Sequence, residues 1–100
     1  MNLHPMKRIT IICEALAETP VLQLIEACGA HGWTLWEVQG SGNRGRRTAD
    51  IPEFANIHVE VILQPAAAGE LLDRLAAELF PSFGMVAYET DIRVLRPAKF

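Results

Sequence analysis

The stretch GWTLWEVQGSGNRGRR, Gly32 to Arg47, changes character in its middle. Its first half, Trp33 to Gln39, is dense in aromatic, β-branched and apolar residues and reads as a strand. The strand empties into a segment, Gly40 to Ala55, that loses all periodicity and collects Gly40, Gly42, Gly45 and Pro52 with three arginines, Arg44, Arg46 and Arg47. Ordered loops longer than about 12–15 residues usually carry function, so 40–55 is the first place to look for a site.

Working outward toward the start, Val21, Leu24, Ile25 and Cys28 recur at helical spacing, with Thr19 expected as the N-cap and Pro20 at the first helical position. Gly29 and Gly32 punctuate the end of that helix. Before it, KRITIIC, Lys7 to Cys13, is a strand with Ile9, Ile11 and Cys13 on one face and Thr10 and Ile12 on the other. Met1 to Pro5 carries no periodic pattern and is expected to be a loose extension, which leaves 6–100 as a single domain.

Toward the end, Asn56 to Leu63 alternates, with Ile57, Val59, Val61 and Leu63 on one face and His58, Glu60 and Ile62 on the other. Pro65 opens a turn, and Leu72, Leu75, Ala76 and Leu79 form the stripe of a second helix ending near Pro81. Met85 to Leu95 is extended, as one strand or a bent pair. The order strand, helix, strand, loop, strand, helix, strand makes two βαβ halves, a ferredoxin-like α+β sheet with two helices on one face. The other face carries Ile12, Ile62 and either Trp36 or Leu35, to be covered by another chain or by a terminal segment folded over it.

Composition agrees with partners of that kind. Of 100 residues 50% are hydrophobic, and the mean hydropathy of +0.16 is high for so small a monomer, which predicts an oligomer. A net charge of -3 and a pI near 5.5 exclude a general polyanion binder, and with no RNP-like aromatic motif no nucleic-acid partner is expected. Trp33 and Trp36 read as packing residues. Cys13 and Cys28 lack metal or redox spacing and read as buried thiols. Met1 to Arg8 has no apolar signal core and no run approaches the roughly 18 residues of a bilayer span, so a cytoplasmic protein without direct membrane insertion is expected.

GSGNRG, Gly40 to Gly45, fits G-x-G-x-x-G, and Glu60 lies 20 residues beyond Gly40. A dinucleotide fingerprint must open a helix, however, and Arg46 to Glu53 has no helical stripe and contains Pro52, so that fold is excluded. What stays is local: closely spaced glycines let backbone N–H groups approach an anion, and the three arginines add bidentate donors. Ser41, Asn43, Arg44, Arg46 and Arg47 are the candidate anion-binding residues. For catalysis little is available. His4, His31 and His58 have no ligand spacing, Ser41 and Ser82 sit in no nucleophile elbow, and the remaining pair is Glu37 and Glu60, which neighbouring strands could turn toward each other. Arg93 and Arg96 offer a second cationic group or are ordinary polar-face residues.

MKRITIIC, EACGAHGWTLWEVQGSGNRG, NIHVEVIL and the closing IRVLR together resemble the PII signalling proteins, trimers of ferredoxin-like subunits. The most specific piece is G-x-T-x-x-E-V-x-G-x-G, Gly32 to Gly42, through which that family enters its effector T-loop. The resemblance implies an adenine nucleotide bound between subunits, with Thr34 and Glu60 at the adenine, Gly40 and Gly42 at the phosphate-side turn, Gly84 and Met85 in the B-loop, and Arg96 reaching the phosphates. Asn43 stands where the family usually has arginine, Met85 near its B-loop lysine, and the shortened loop has no tyrosine for uridylylation. These departures resemble the PII-like branch associated with carboxysomes and bicarbonate transporters, whose members bind ADP, AMP or cyclic AMP and in some cases bicarbonate. The implied protein is a non-enzymatic homotrimeric sensor of inorganic carbon metabolism with 40–55 as its switch and a bicarbonate transporter or carboxysome-related protein as partner. A slow nucleotide hydrolase using Glu37 or Glu60, and a structural trimeric adaptor, are the alternatives.

Overall fold

A computed structural model describes residues 2–42, 45–47 and 56–100. The chain runs β1 (His4–Glu14), α1 (Glu18–Ala27), β2 (Thr34–Val38), β3 (Gly40–Gly42), β4 (Gly45–Arg47), β5 (Asn56–Leu63), α2 (Pro65–Arg74) and β6 (Met85–Val94). A 3₁₀ turn, Ala15–Ala17, leads into α1, a π-helical turn, Leu75–Leu79, extends α2, and a last 3₁₀ turn spans Pro97–Lys99.

β1 lies inside a four-stranded sheet of order β2-β5-β1-β6 in which every neighbouring pair is antiparallel. β1 and β2 are therefore parallel with β5 between them, and β5 and β6 are parallel with β1 between them. That is the split βαβ arrangement expected from the element order. The last extended stretch is one strand rather than a bent pair. β1 begins earlier than its periodicity suggests: His4 pairs with Val94 and Pro5 with Arg93, so the expected 1–5 extension is already part of the ladder at its last two residues.

The helices bury one face of the sheet. Ile9, Ile11 and Cys13 of β1 and Ile57, Val59, Val61 and Leu63 of β5 meet Val21, Leu24, Ile25 and Cys28 from the first helix and Ala68, Leu71 and Leu75 from the second. The stripe of α2 is thus rotated from the expected one: Ala68 and Leu71 join Leu75 inside, Leu72 and Leu79 are half-buried, and Ala76 is exposed. At the start of α1 the N-cap is Ala17, with no side-chain cap, because the 3₁₀ turn carries the chain into the helix before Thr19 is reached. At its end Gly29 adopts φ of 86°, its N–H donating to the Glu26 carbonyl at 3.0 Å while that of Ala30 reaches Ile25 at 3.3 Å. A glycine closes the helix there because a Cβ is disfavoured in the left-handed region.

Register settles which aromatic of β2 points where. Leu35 opposes Val59 and packs against the core, while Trp36 opposes His58 on the uncovered face with Ile12 and Ile62. From β6 the uncovered face receives Val86, opposite Ile12, and Tyr88, opposite Thr10. Trp36, Val86 and Tyr88 are 40%, 56% and 48% exposed. The terminal segment reaches one corner of this face and leaves those three open, so part of the exposed apolar surface lies here.

Candidate functional site

Thr34 and Glu60 are register partners on β2 and β5, side by side on the uncovered face. They line a cleft of about 340 Å³ together with His31, Gly32, Trp33, Ile62, Lys99 and Phe100. Three segments build it. The loop after α1 supplies His31 to Trp33, the sheet supplies its floor, and the 97–100 turn supplies an outer wall. His31 Nδ1 lies 3.3 Å from the Lys99 carbonyl oxygen, and Gln64 Nε2 donates to that of Phe100 at 3.5 Å.

Beside the cleft His58 stacks on Trp36, ring centroids 4.1 Å apart at 17°, with its Nε2 3.6 Å from Glu60 Oε2. That separation is an ion-pair distance but too long for a hydrogen bond, and His58 Nε2 and Arg8 Nε are buried polar atoms without a hydrogen-bond partner among the described residues. Both belong to strand positions on the uncovered face. Trp36, in β2, packs on that histidine, whereas Trp33, just before the strand, is 45% exposed and lines the cleft, so within the protomer it is not the packing residue expected.

The other candidate residues lie at the far end of the sheet. Gly84 is clasped by Glu14: its N–H donates to Glu14 Oε1 at 2.9 Å, and the Glu14 N–H donates to its carbonyl at 3.2 Å. Its amide therefore already holds an acidic oxygen, the kind of group a phosphate would present. Met85 opposes Cys13 beside it. Gly40 and Gly42 belong to a small hairpin in which Gly40 opposes Arg47, Ser41 opposes Arg46 and Gly42 opposes Gly45, so the start of the 40–55 loop is ordered as strand. Asn43 and Arg44 lie outside the described residues, as does the 48–55 part of the loop.

These groups do not converge within one protomer. Glu60 shares a row with Thr10 and Tyr88, Met85 lies three residues from that row in one direction, and Arg96 lies eight in the other, past the end of β6. At about 3.4 Å per residue the first interval is roughly 10 Å, and the end of β6 at Val94 lies roughly 20 Å from the row on the other side. Glu37 opposes Ile57 and so sits on the helix side of the sheet, opposite to Glu60. The carboxylate pair that hydrolysis would use is not formed.

Among the described residues no group of three or more His, Cys, Asp or Glu is placed to hold a metal, and no helix is long and apolar enough to cross a membrane. Burial pushes the Cys13 thiol up to about 12, with nearby Glu14 and Glu18 adding to the shift, and raises Cys28 as well. Lys7 on the helix side pairs with Asp91 and, at 3.7 Å, with Glu89, and the Asp91 contact holds its ammonium charged above the usual lysine range. The sequence offered no sign of His31, Lys99 or Phe100, because the contact joins residues 68 apart in the chain through a backbone carbonyl.

A ferredoxin-like sheet with one bare face, a glycine- and arginine-rich loop between its paired strands and a cleft at Thr34 and Glu60 define a small PII-type protein. The family of nitrogen regulatory protein P-II matches residues 6–99, and the chain belongs to it. Among solved structures it is similar to a Thermus thermophilus protein described as PII-like, with 36% identity over 100% of this chain and 99% of that one and a TM-score of 0.87. It is similar also to CPII, a nitrogen regulatory PII-like protein of Thiomonas intermedia, whose structure is bound to ADP, AMP and bicarbonate. There identity is 26% over 99% of this chain and 96% of that one, at a TM-score of 0.91. A second CPII structure, bound to ADP and bicarbonate, gives 27% identity, 99% and 97% coverage and 0.90.

Proposed function

We propose that this chain is a non-enzymatic regulatory sensor that binds an adenine nucleotide, ADP or AMP before cyclic AMP, together with bicarbonate, in clefts between the subunits of a homotrimer. The observation that carries this reading is the likeness to CPII over nearly the whole chain, since that protein holds ADP, AMP and bicarbonate. Thr34 and Glu60 take the adenine in the cleft they line. Gly40, Gly42, Gly84, Met85 and Arg96 serve the phosphates, and Ser41, Asn43, Arg44, Arg46 and Arg47 the bicarbonate. The spread of these groups along β6 supports an intersubunit site, because a second copy is needed to bring Arg96 to the end that holds Gly84. The bare face carrying Trp36, Val86 and Tyr88 supports the same assembly.

The 40–55 loop is the switch. A ligand that binds its ordered state better shifts the population by the difference in affinity, and two ligands that order the same loop favour each other. The signal is inorganic carbon, read in the cytoplasm by a bicarbonate transporter or a carboxysome-related protein. Calorimetric titration of AMP, ADP, ATP and cyclic AMP, each with and without bicarbonate, tests the reading: AMP or ADP binds, and bicarbonate tightens it. No heat from any nucleotide overturns the sensor and favours a structural adaptor. Arg46→Ala and Arg47→Ala are expected to weaken bicarbonate coupling about tenfold and leave the trimer intact, since both lie in the small β3–β4 hairpin, outside the four-stranded sheet.

A further inference from the structure

We propose that the Glu14 carboxylate sets the phosphate count of the ligand: it occupies the Gly84 amide as a built-in competitor, so that the site favours AMP over ADP and ATP. This rests on the reading that Gly84 serves the phosphates, and it adds a residue from the end of β1 that the 32–42 motif does not reach.

The clasp departs from ordinary strand pairing. Cys13 opposes Met85 at the last rung of the β1–β6 ladder, so Glu14 and Gly84 form the next one. Two residues in a hydrogen-bonded antiparallel rung normally exchange backbone bonds in both directions. Here the Glu14 N–H donates to the Gly84 carbonyl at 3.2 Å, but the Gly84 N–H donates to the side-chain Oε1 of Glu14 at 2.9 Å. The amide is thus turned from the ladder to an anion, which is what a phosphate oxygen would ask of it. Across the sheet Glu14 opposes Asn56, and Asn56 opposes Val38, two residues before Gly40. Glu14 therefore stands in the end row between Gly84 and the strand that leads into the Gly40–Gly42 segment, the two backbone pieces assigned to the phosphates. Local charge favours the competition. The stretches 9–43 and 75–92, which supply the clasp, contain no Lys or Arg. Beyond burial, Glu14 and Glu18 raise the neighbouring Cys13 thiol, so their negative field is felt at this end of β1. A phosphate chain that reaches Gly84 must displace the carboxylate or lie against it, and each added phosphate brings more negative charge to the same place.

The test is calorimetry with AMP, ADP and ATP on the full chain. Glu14→Gln keeps the shape and an acceptor for the Gly84 N–H but drops the charge. It should tighten ADP about tenfold and ATP at least as much, with AMP changed by less than about threefold. Glu14→Asp, which keeps the charge, should stay within about threefold of wild type for all three nucleotides. A merely structural clasp would not separate the two variants in this way. Raising the salt to about 1 M should narrow the gap in ADP affinity between wild type and Glu14→Gln, since that gap is electrostatic. Equal changes for AMP and ADP in Glu14→Gln overturn the proposal, and so does weaker ADP binding, which would make Glu14 part of the phosphate holder. If Glu60→Gln weakens AMP while Glu14→Gln leaves the ratio of ADP to AMP affinity unchanged, the competitor is wrong and the adenine site stands. If the wild-type chain binds no nucleotide, the sensor reading falls and this one with it.

Discussion

Tyr88→Asp is the sharpest test of where the protein assembles. Tyr88 sits on the bare face, partway along the edge strand β6 and opposite Thr10, and is 48% exposed. An aromatic side chain carries roughly 150–250 Å² of surface, so about 100 Å² of it waits to be covered. At about 25 cal/mol/Å² that is worth about 2.5 kcal/mol per copy, or roughly 7 kcal/mol over three copies. The aspartate forfeits that area and adds a carboxylate that assembly would strip of water without a partner. The monomer has little reason to unfold, since the side chain lies outside the core cluster of Ile11, Val59 and Leu71. Size-exclusion chromatography with light scattering at micromolar concentration should give a trimer for wild type and for Tyr88→Phe, which keeps the area. Tyr88→Asp should give a monomer with an unchanged far-ultraviolet circular dichroism spectrum. A trimeric Tyr88→Asp would mean that copies meet on some other surface.

Glu78 is held below its ordinary value of 4.5 by its hydrogen bond to Arg74 at 2.7 Å, so its contribution is present above that pH and is lost as the pH falls through the depressed value. Arg74→Ala should therefore lower the melting temperature slightly at neutral pH and leave it unchanged in strong acid, and an equal drop at both pH values would contradict the sign. Cys13, with its thiol raised to about 12, and Cys28, raised by burial, should resist alkylation by iodoacetamide at mildly alkaline pH until the chain is unfolded, and rapid native labelling of both would show that the core opens there. Glu14→Gln weakens the hydrogen bond to the Gly84 amide from a charged to a neutral acceptor, with an expected loss of about 1 kcal/mol in urea denaturation. An unchanged midpoint would mean the clasp does not hold the turn before β6.

Much of the fold is legible in the chain because it is written in short-range periods. The alternation of Ile57, Val59, Val61 and Leu63 and the helical spacing of Val21, Leu24, Ile25 and Cys28 both end up inside. Readings fail where the deciding interaction is distant. Nothing local tells that Pro5 pairs with Arg93, or whether Leu35 or Trp36 turns inward until Val59 and His58 are placed opposite them. Thr19 has the residue type of a cap and is followed by proline, yet the Ala15–Ala17 turn starts the helical path before it. The site divides the same way. The Gly32 to Gly42 motif marks Thr34 and leads to its register partner Glu60, whereas the wall of their cleft comes from a turn whose anchor is a backbone carbonyl with no side-chain signature.

Two features read separately in the sequence, an apolar surplus and a scattered set of polar candidates, converge on one consequence. Trp36, Val86 and Tyr88 need a covering surface, and Thr34 with Glu60 lies on that same face, at the row that also holds Tyr88. Covering the face with a second copy therefore encloses the cleft from the side the 97–100 turn leaves open. If Arg96 of one copy completes the phosphate end of another, assembly and ligand affinity are a single linked equilibrium. A nucleotide that binds only the assembled state then stabilises the trimer by RT ln(1 + [L]/Kd), about 2.7 kcal/mol at one hundred times Kd. AMP should accordingly shift the wild-type dissociation midpoint to lower protein concentration. Tyr88→Asp, although its Thr34 and Glu60 are intact, should bind AMP far more weakly than wild type. Equal AMP affinity in the monomeric variant would show that the base cleft is complete within one subunit and that the bare face serves assembly alone.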